Sequence, residues 1–162
     1  ITGQGTVALE FCSDIAELDV VIAPVGGGGL LSGVAIAVKA LSSRTQVIAA
    51  EPMNADDAYQ SFQKGSIVPS LNPDTIADGL RTSLGELTFP IIQQYVDDII
   101  TVSEANIVAA MRHIWERMKI IVEPSAAVTL AALLEQPERL AGKRIGLILS
   151  GGNVDLDKLP WQ

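Results

Sequence analysis

Cysteine and basic residues are scarce in this sequence. Among 162 residues there is one cysteine, Cys12, so no internal disulfide can form and the class of small disulfide-stapled secreted proteins is excluded. We therefore expect a reducing, cytoplasmic location. Lys and Arg number 11 against 19 Asp and Glu, which gives a net charge of -8. Because this charge repels nucleic-acid phosphates and anionic lipid headgroups, we predict no nucleic-acid partner and no membrane partner.

Long hydrophobic runs are also rare, and the longest uncharged stretch runs from Val20 to Val38. It contains Pro24 and four consecutive glycines, Gly26 to Gly29, whose loop backbone could not be satisfied in hydrocarbon. A buried strand, a glycine loop and a buried helix explain the stretch better than a membrane span. Neither an initiator Met nor a basic leader is present, and we expect the chain to be part of a longer polypeptide.

Apolar residues make up 48% of the chain, enough for one core, and we predict that residues 1–162 form a single domain. Short β-branched runs alternate with segments of helical apolar spacing. This alternation is typical of an α/β fold, here a three-layer parallel sheet with flanking helices. Strands are predicted at 19–25, 46–50, 98–102 and 144–149, and helices at 6–18, 30–41, 57–63, 91–96, 104–118 and 125–134.

Individual side chains also have expected environments. Ser103 should cap the helix that follows it, whose buried stripe would consist of Ile107, Met111, Ile114 and Met118. Cys12 should lie in the core and His113 on the surface, and Lys39 should extend a solvated ammonium group.

The four glycines give the strongest local signal for a ligand. Between the end of a strand and the start of a helix, their amides would converge on one anion, with the helix dipole adding to the attraction. A dinucleotide fingerprint does not fit, because its third glycine position would be occupied by Leu31 or Ser32, and no Gly-Lys-Ser or Gly-Lys-Thr follows for a nucleotide P-loop. A single phosphate held by backbone amides is predicted, with a tight turn that binds nothing as the alternative.

Five blocks of this sequence, in order, resemble the fold-type II pyridoxal phosphate enzymes, in the branch of the threonine/serine dehydratases and serine racemases. The blocks are Val25–Leu30, Glu51–Asp57, Ile76–Gly79, Glu123–Ser125 and Ser150–Leu156. The resemblance covers nearly the whole chain. It implies that the chain is the carboxy-terminal part of the large, cofactor-binding domain of such an enzyme.

The resemblance implies a role for each residue of the cofactor site. The glycine loop Gly26, Gly27, Gly28 and Gly29, together with Leu30, would hold the phosphate of pyridoxal 5'-phosphate. The Ser150 hydroxyl would face the pyridine nitrogen, and Gly79 would lie beside the ring. Glu123 matches an acid near the ring and is the one possible catalytic residue in this chain; its alternative role is that of a charge at a helix N-terminus.

A divalent-cation site is implied by the same resemblance. Glu51, the Ala55 carbonyl and Asp57 match the ligands of the racemase-like branch. Carboxylate and carbonyl oxygens are hard ligands, so Mg²⁺ is our first choice and Mn²⁺ or Ca²⁺ the alternatives. Without the resemblance, two acids in an acidic loop would be read as solvated surface.

The lysine that forms the Schiff base in this family lies in a serine-x-lysine-x-arginine block, which this sequence lacks. Its five lysines, none in that context, are Lys39, Lys64, Lys119, Lys143 and Lys158. The resemblance therefore implies a part of an ammonia-lyase (dehydratase) that eliminates water from L-serine or L-threonine to give a 2-oxo acid and ammonia, inactive alone. Its partners would be the amino acid substrate, the rest of its own enzyme and a second copy in a homodimer.

Other functions stay open at this point. Serine racemase is the neighbouring activity. A Rossmann-like dinucleotide-binding domain would place Glu51, at the end of the second strand, on a ribose. A non-catalytic interaction domain derived from the same fold is the third alternative.

Overall fold

Four parallel strands form the centre of the structure, a computed structural model that describes residues 1–15 and 17–162. The strands are β1 (Val20–Pro24), β2 (Gln46–Pro52), β3 (Asp98–Val102) and β4 (Ile145–Leu147). The helices are α1 (Thr6–Asp14), α2 (Gly29–Leu41), α3 (Asp57–Lys64), α4 (Phe89–Tyr95), α5 (Glu104–Met118), α6 (Pro124–Glu135) and α7 (Pro137–Leu140). Single turns of 3-10 helix lie at Thr2–Gly5, Met53–Ala55 and Asp78–Leu80.

The order of the strands is β3-β2-β1-β4, so the chain moves outward from β1 in one direction and then returns to the other side of it. Val20 pairs with Gln46 of β2 and with Ile145 of β4, which makes β1 a central strand. All five residues of β1 are buried, as a strand covered on both faces requires. The β-branched run that the sequence analysis assigned to this strand is therefore confirmed.

Two helical layers cover the sheet. Val20 and Ile22 point into a core that contains α5 and α6, whereas the alternating residues Val21 and Ala23 point into a second core with α1, α2 and α4. This separation follows from the two-residue period of a strand, which sends successive side chains to opposite faces. The expected three-layer α/β architecture is confirmed.

Several predicted boundaries were wrong. Helix α1 ends at Asp14, because Ile15 is already extended; the predicted end at residue 18 also included residue 16, which lies outside the described residues. Strand β2 continues to Pro52, which is tolerated because β1 ends opposite Ala50 and Pro52 pairs only with Val102. Strand β4 stops at Leu147, α4 begins at Phe89, and the short helix α7 was not predicted.

The expected environments of single side chains had mixed outcomes. Ser103 caps α5 by accepting a hydrogen bond from the Asn106 amide, and His113 is exposed. Met118 is 59% exposed because α5 ends there, so the prediction of a fourth stripe residue was wrong. Cys12 is only half-buried against the second core.

The prediction for Lys39 was also wrong. Its side chain is 18% exposed, and its ammonium group donates to the Thr45 carbonyl (2.9 Å) and to the Asp97 carboxylate (2.7 Å). Asp97 also accepts from the Val47 amide at 2.7 Å. This lysine therefore joins α2 to the loop before β3, a contact that helical periodicity cannot show.

No helix in the described parts of the chain is both long and apolar enough to cross a membrane.

Candidate cofactor site

The candidate site lies at the carboxyl end of β1, where the chain stops adding strands on one side of β1 and later adds β4 on the other. Strands β2 and β3 lie on one side of β1, and β4 lies on the other. Loops that leave neighbouring parallel strands in opposite directions open a crevice at their carboxyl ends, where ligands of open α/β sheets bind. The glycine loop follows β1, and Ser150 follows β4, so the topology brings these two predicted cofactor-binding segments to the same crevice.

The backbone amides of the glycine loop have no hydrogen-bond partner among the residues that the structure describes. Gly28 has a φ of +85° and is the N-cap of α2, a left-handed conformation that favours glycine. Within the described chain, the amides of residues 26–31 donate to no other group; the first helical bond after the loop runs from the Ser32 amide to the Gly28 carbonyl at 2.9 Å. Consecutive free amides at the start of a 13-residue helix suit an anion such as a phosphate.

Two threonines that the sequence analysis did not single out lie against this loop, and one of them bonds to it. The Thr88 hydroxyl donates to the Gly27 carbonyl at 2.7 Å, and a Cβ at Gly28 would lie only 2.7 Å from that same hydroxyl oxygen. A Cβ at Gly26 would lie 3.0 Å from the Thr82 hydroxyl oxygen and 3.2 Å from the Gly79 carbonyl. Backbone conformation and close packing therefore both favour glycine at position 28, and close packing favours it at position 26, in addition to any ligand.

A cavity of about 200 Å³ brings the predicted residues together. The whole glycine loop, Leu30, Gly79, Glu123 and Ser150 line it. Three further lining residues were not predicted: Pro24, Leu80 and Ser125. All the cofactor-binding candidates thus border one cavity, although they come from four separate parts of the chain.

Ser150 and Glu123 differ in how they are held. Ser150 is exposed, and its hydroxyl has no hydrogen-bond partner among the residues described. Glu123 is half-buried; its Oε2 accepts from the Asn153 amide at 2.7 Å, while its backbone carbonyl accepts from Ala126 and Ala127 at the start of α6. The Glu123 carboxylate thus bonds the chain after β4 and does not cap its own helix.

Glu51 has a structural role in this structure. It is 1% exposed, and its two carboxylate oxygens accept from the Ala58 and Tyr59 amides at 2.8 Å each, which caps α3. Burial raises the pKa of Glu51 to about 8, although the two amide bonds act in the opposite direction. Because the carboxylate is buried and bonded to backbone, it does not offer the exposed acid that a ribose hydroxyl would need, which weighs against a dinucleotide site.

The carboxylate of Asp57 is held differently from that of Glu51. Both of its carboxylate oxygens are buried, and neither has a hydrogen-bond partner in the described residues. Burial raises the pKa of Asp57, and the nearby Ser70 side chain and Leu84 amide offset this rise only in part. Asp57 and Ala55 border a cavity of about 250 Å³. An unpartnered buried carboxylate is costly, and a cation beside it would remove that cost.

The donor set fits a hard divalent cation with waters. The Ala55 carbonyl accepts no hydrogen bond within the described chain, and the Glu51 oxygens keep lone pairs beyond the two amide bonds. The described residues contain no cluster of three or more His, Cys, Asp and Glu side chains that could hold a metal ion. Any ion here would therefore depend on a carbonyl and water in addition to the two carboxylates.

The chain is similar to known proteins over nearly its whole length. A family model described as pyridoxal-phosphate dependent enzyme matches residues 1–151. A β-hydroxyaspartate dehydratase from Paracoccus denitrificans is 52% identical over 161 residues, covering 99% of this chain and 51% of that protein. The chain spans about half the length of the curated relatives it matches.

Solved structures show the same fold. A serine racemase from Dictyostelium discoideum aligns with a TM-score of 0.88 at 52% identity, over 95% of this chain and 50% of that one. A maize serine racemase aligns with a TM-score of 0.91 at 48% identity, over 99% of this chain and 50% of that one. Since the family match extends over residues 1–151, the chain belongs to the pyridoxal-phosphate dependent enzymes.

Proposed function

We propose that this chain is the carboxy-terminal part of the cofactor-binding domain of an ammonia-lyase that converts L-serine or L-threonine to a 2-oxo acid and ammonia. The lysine that binds the cofactor would then lie in a segment outside this sequence, as would the loop that binds the substrate carboxylate. The observation that carries the proposal is the set of unpaired amides in the glycine loop, beside the cavity that Ser150 also lines. The dehydratase and racemase names of the relatives support the substrate class.

The residues of the cavity fit pyridoxal phosphate. The free amides of Gly26 to Leu30 would hold the phosphate, and the positive end of α2 would add to the attraction. The Ser150 hydroxyl, which has no partner of its own among the described residues, would hold the ring nitrogen. When bound, the cofactor supplies an electron sink for negative charge at the substrate α-carbon.

The hydroxyl of Ser150 would set how strong that sink is. A hydroxyl donates a neutral hydrogen bond and does not carry the charge with which a carboxylate would hold a proton on the ring nitrogen. Ser150 would therefore leave the ring nitrogen unprotonated. A sink of moderate strength suits elimination of a β-hydroxyl group or exchange of an α-proton.

Serine racemase is the second candidate activity. A human serine racemase is 52% identical over 166 residues, which is as similar as the dehydratase relative. Both reactions begin with removal of the α-proton. They differ in whether a second base returns a proton to the opposite face.

The test uses the full-length protein loaded with pyridoxal phosphate. We expect L-serine and L-threonine to yield 2-oxo acid and ammonia in equal amounts, measured by a coupled dehydrogenase assay and an ammonia assay. Chiral chromatography of the remaining serine would report racemisation. A protein that binds pyridoxal phosphate but releases neither ammonia nor D-serine would contradict the proposal, as would a protein that binds no pyridoxal phosphate.

We also propose that Glu51, the Ala55 carbonyl and Asp57 bind Mg²⁺, with Mn²⁺ or Ca²⁺ as alternatives. The unpartnered carboxylate of Asp57 supports this site. Thermal unfolding with MgCl2 and with a chelator tests it: the ion should raise the Tm of the wild type but not of Asp57→Ala. The matched control is Asp56→Asn, because Asp56 already accepts from the Gln60 side chain at 2.7 Å. An equal response to Mg²⁺ in wild type and Asp57→Ala would disprove the site.

We also propose that the full-length protein is a homodimer in the cytoplasm. The outer faces of α1 and α2 expose the apolar side chains Leu9, Ile36 and Leu41, which supports association with a second copy. Light scattering of the full-length protein should give twice the mass of one full-length polypeptide. A monomer at high concentration would contradict this part alone.

A further inference from the structure

Two residues at the start of α6, Glu123 and Ser125, contact different segments of the chain beside the cofactor cavity. On one side, Glu123 Oε2 accepts from the Asn153 amide at 2.7 Å. On the other, Ser125 Oγ accepts from the Gly79 amide at 3.0 Å. Neither contact is local, since 30 residues separate the first pair and 46 the second.

Glu123 holds the segment that follows β4 at three points. Besides the carboxylate bond to Asn153, its own amide donates to the Gly151 carbonyl at 3.1 Å. Its carboxylate also packs directly on the Gly151 backbone: a Cβ at Gly151 would lie 2.9 Å from both carboxylate oxygens. Position 151 must therefore be a glycine, because the Glu123 carboxylate occupies the space that a side chain would need.

Ser150 itself contributes nothing to its own placement. Its hydroxyl has no partner among the described residues and its side chain is exposed. The nearest anchors in the chain are the Ile148 amide, which donates to the Ile22 carbonyl at 2.9 Å, and the Glu123 contacts to residues 151 and 153. The position of the Ser150 hydroxyl therefore depends on Glu123 from the C-terminal side.

Ser125 provides an internal comparison. It is 3% exposed, and its hydroxyl accepts from the amide of Gly79, another residue that lines the cavity. The Gly79 amide is shared with the Asp78 carboxylate at 3.0 Å, so Gly79 has a second support. Loss of the Ser125 hydroxyl would loosen Gly79 but leave the Glu123 contacts to residues 151 and 153 in place.

We propose that Glu123 is a positioning residue that directs the Ser150 hydroxyl at the ring nitrogen of the cofactor through its bonds to residues 151–153. In this role its Oε2 accepts from the Asn153 amide, and no proton transfer to the substrate is required of it. This inference rests on the proposed function, since it requires pyridoxal phosphate in the cavity. Its new content is that the effect of Glu123 on the cofactor passes through Ser150.

A double-mutant cycle on the full-length protein tests this pathway, with pyridoxal phosphate affinity and the absorption maximum of the bound cofactor as readouts. Glu123→Ala and Ser150→Ala should each weaken binding by about tenfold, as the loss of one hydrogen bond to a charged group or ring nitrogen predicts. The double variant should be little worse than either single variant, and both single variants should shift the absorption maximum alike. Ser125→Ala should combine additively with Ser150→Ala.

Conservative variants separate positioning from folding. Glu123→Gln keeps an oxygen that can accept from the Asn153 amide, so it should retain the wild-type affinity to within about threefold. If Glu123→Ala does not fold, Glu123→Asp, which withdraws the carboxylate by one methylene, should show the same coupling to Ser150→Ala. Amide hydrogen exchange at Asn153 in the cofactor-free protein should quicken in Glu123→Ala or Glu123→Asp but not in Glu123→Gln.

The outcomes that would overturn the inference differ from those that would overturn the proposed function. Additive effects of Glu123→Ala and Ser150→Ala, or a Glu123→Gln variant as weak as Glu123→Ala, would show that Glu123 does not act through Ser150. A wild-type protein that binds no pyridoxal phosphate would overturn the proposed function, and the inference with it.

Discussion

The Thr88 hydroxyl donates a hydrogen bond of 2.7 Å to the carbonyl of Gly27, a residue 61 positions earlier in the chain. Thr88 is buried at the start of α4, and it also accepts from the Gly85 amide at 3.1 Å. This contact joins the glycine loop to the start of α4, which comes later in the sequence than the candidate metal ligands at positions 51–57. The loop therefore depends on a residue outside every block that resembles the family.

Removal of that hydroxyl should loosen the glycine loop. Thr88→Val keeps the shape of the side chain but leaves the Gly27 carbonyl with only the 3.3 Å bond from the Gly85 amide. We expect a loss of about 1 kcal/mol in the free energy of unfolding and weaker binding of pyridoxal phosphate. Thr88→Ser should restore both. Denaturant unfolding and cofactor titration measure them, and an unchanged Thr88→Val would show that the hydrogen bond does not hold the loop.

Gly28 and Gly29 should respond differently to alanine. Gly28 has a φ of +85°, and a Cβ there would lie 2.7 Å from the Thr88 hydroxyl oxygen, whereas a Cβ at Gly29 meets nothing within 4 Å. Gly28→Ala should therefore lower the free energy of unfolding by more than about 1 kcal/mol. Gly29→Ala should be neutral or stabilising, because alanine is a better helix residue than glycine. Thermal unfolding without cofactor checks this pair, and equal Tm values would contradict it.

Glu135 should make stability depend on pH. Its carboxylate accepts from the Asn106 side chain and from the amide and hydroxyl of Ser103, and these bonds lower the pKa of Glu135. A lowered pKa in the folded state means that the stabilisation is complete above the unfolded pKa of 4.5 and is lost as the pH falls through the folded value. Glu135→Gln should cost about 1 kcal/mol or less at pH 7, since the group is partly solvated.

Denaturant unfolding of wild type and Glu135→Gln at several pH values provides the measurement. The difference between them should shrink toward zero as the pH drops below the folded pKa of Glu135. The exposed residue Glu138 supplies the control, and Glu138→Gln should show no such convergence. A difference that stays constant with pH would mean that the charge of Glu135 is not what stabilises the junction of α5 and α6.

The ion pair of Lys39 with Asp97 should increase the free energy of unfolding. Lys39→Met keeps the aliphatic stem but removes the 2.7 Å contact to Asp97 and the bond to the Thr45 carbonyl. We expect a loss of about 1 kcal/mol, limited because the Asp97 side chain is 36% exposed and still accepts from Val47. Lys64→Met, on an exposed position of α3, is the control. A Lys39→Met variant as stable as Lys64→Met would show that the ion pair adds nothing.

Local patterns explain why much of the fold could be predicted. The segment of β1 is rich in β-branched residues and is followed by glycines, so the signals for the strand and for its end both lie within a few residues of sequence. Element ends were less accurate where a neighbour decided them: β2 continues to Pro52 because β3 pairs with it there. Lys39 was misjudged for the same reason, since Asp97 reaches it from 58 residues away.

The candidate site divides along the same line. Sequence alone determined that a glycine loop sits between a strand and a helix and that Ser150 follows another strand, because β-branched runs and glycine turns are local patterns. Only the tertiary structure decided that Thr88 holds the loop and that Glu51 caps α3 while Asp57 stays unpartnered among the described residues. It also decided that Glu123 and Ser125 bond to separate segments of the chain beside one cavity. These contacts depend on which strands lie side by side, and the order β3-β2-β1-β4 is set by packing between residues far apart in the chain.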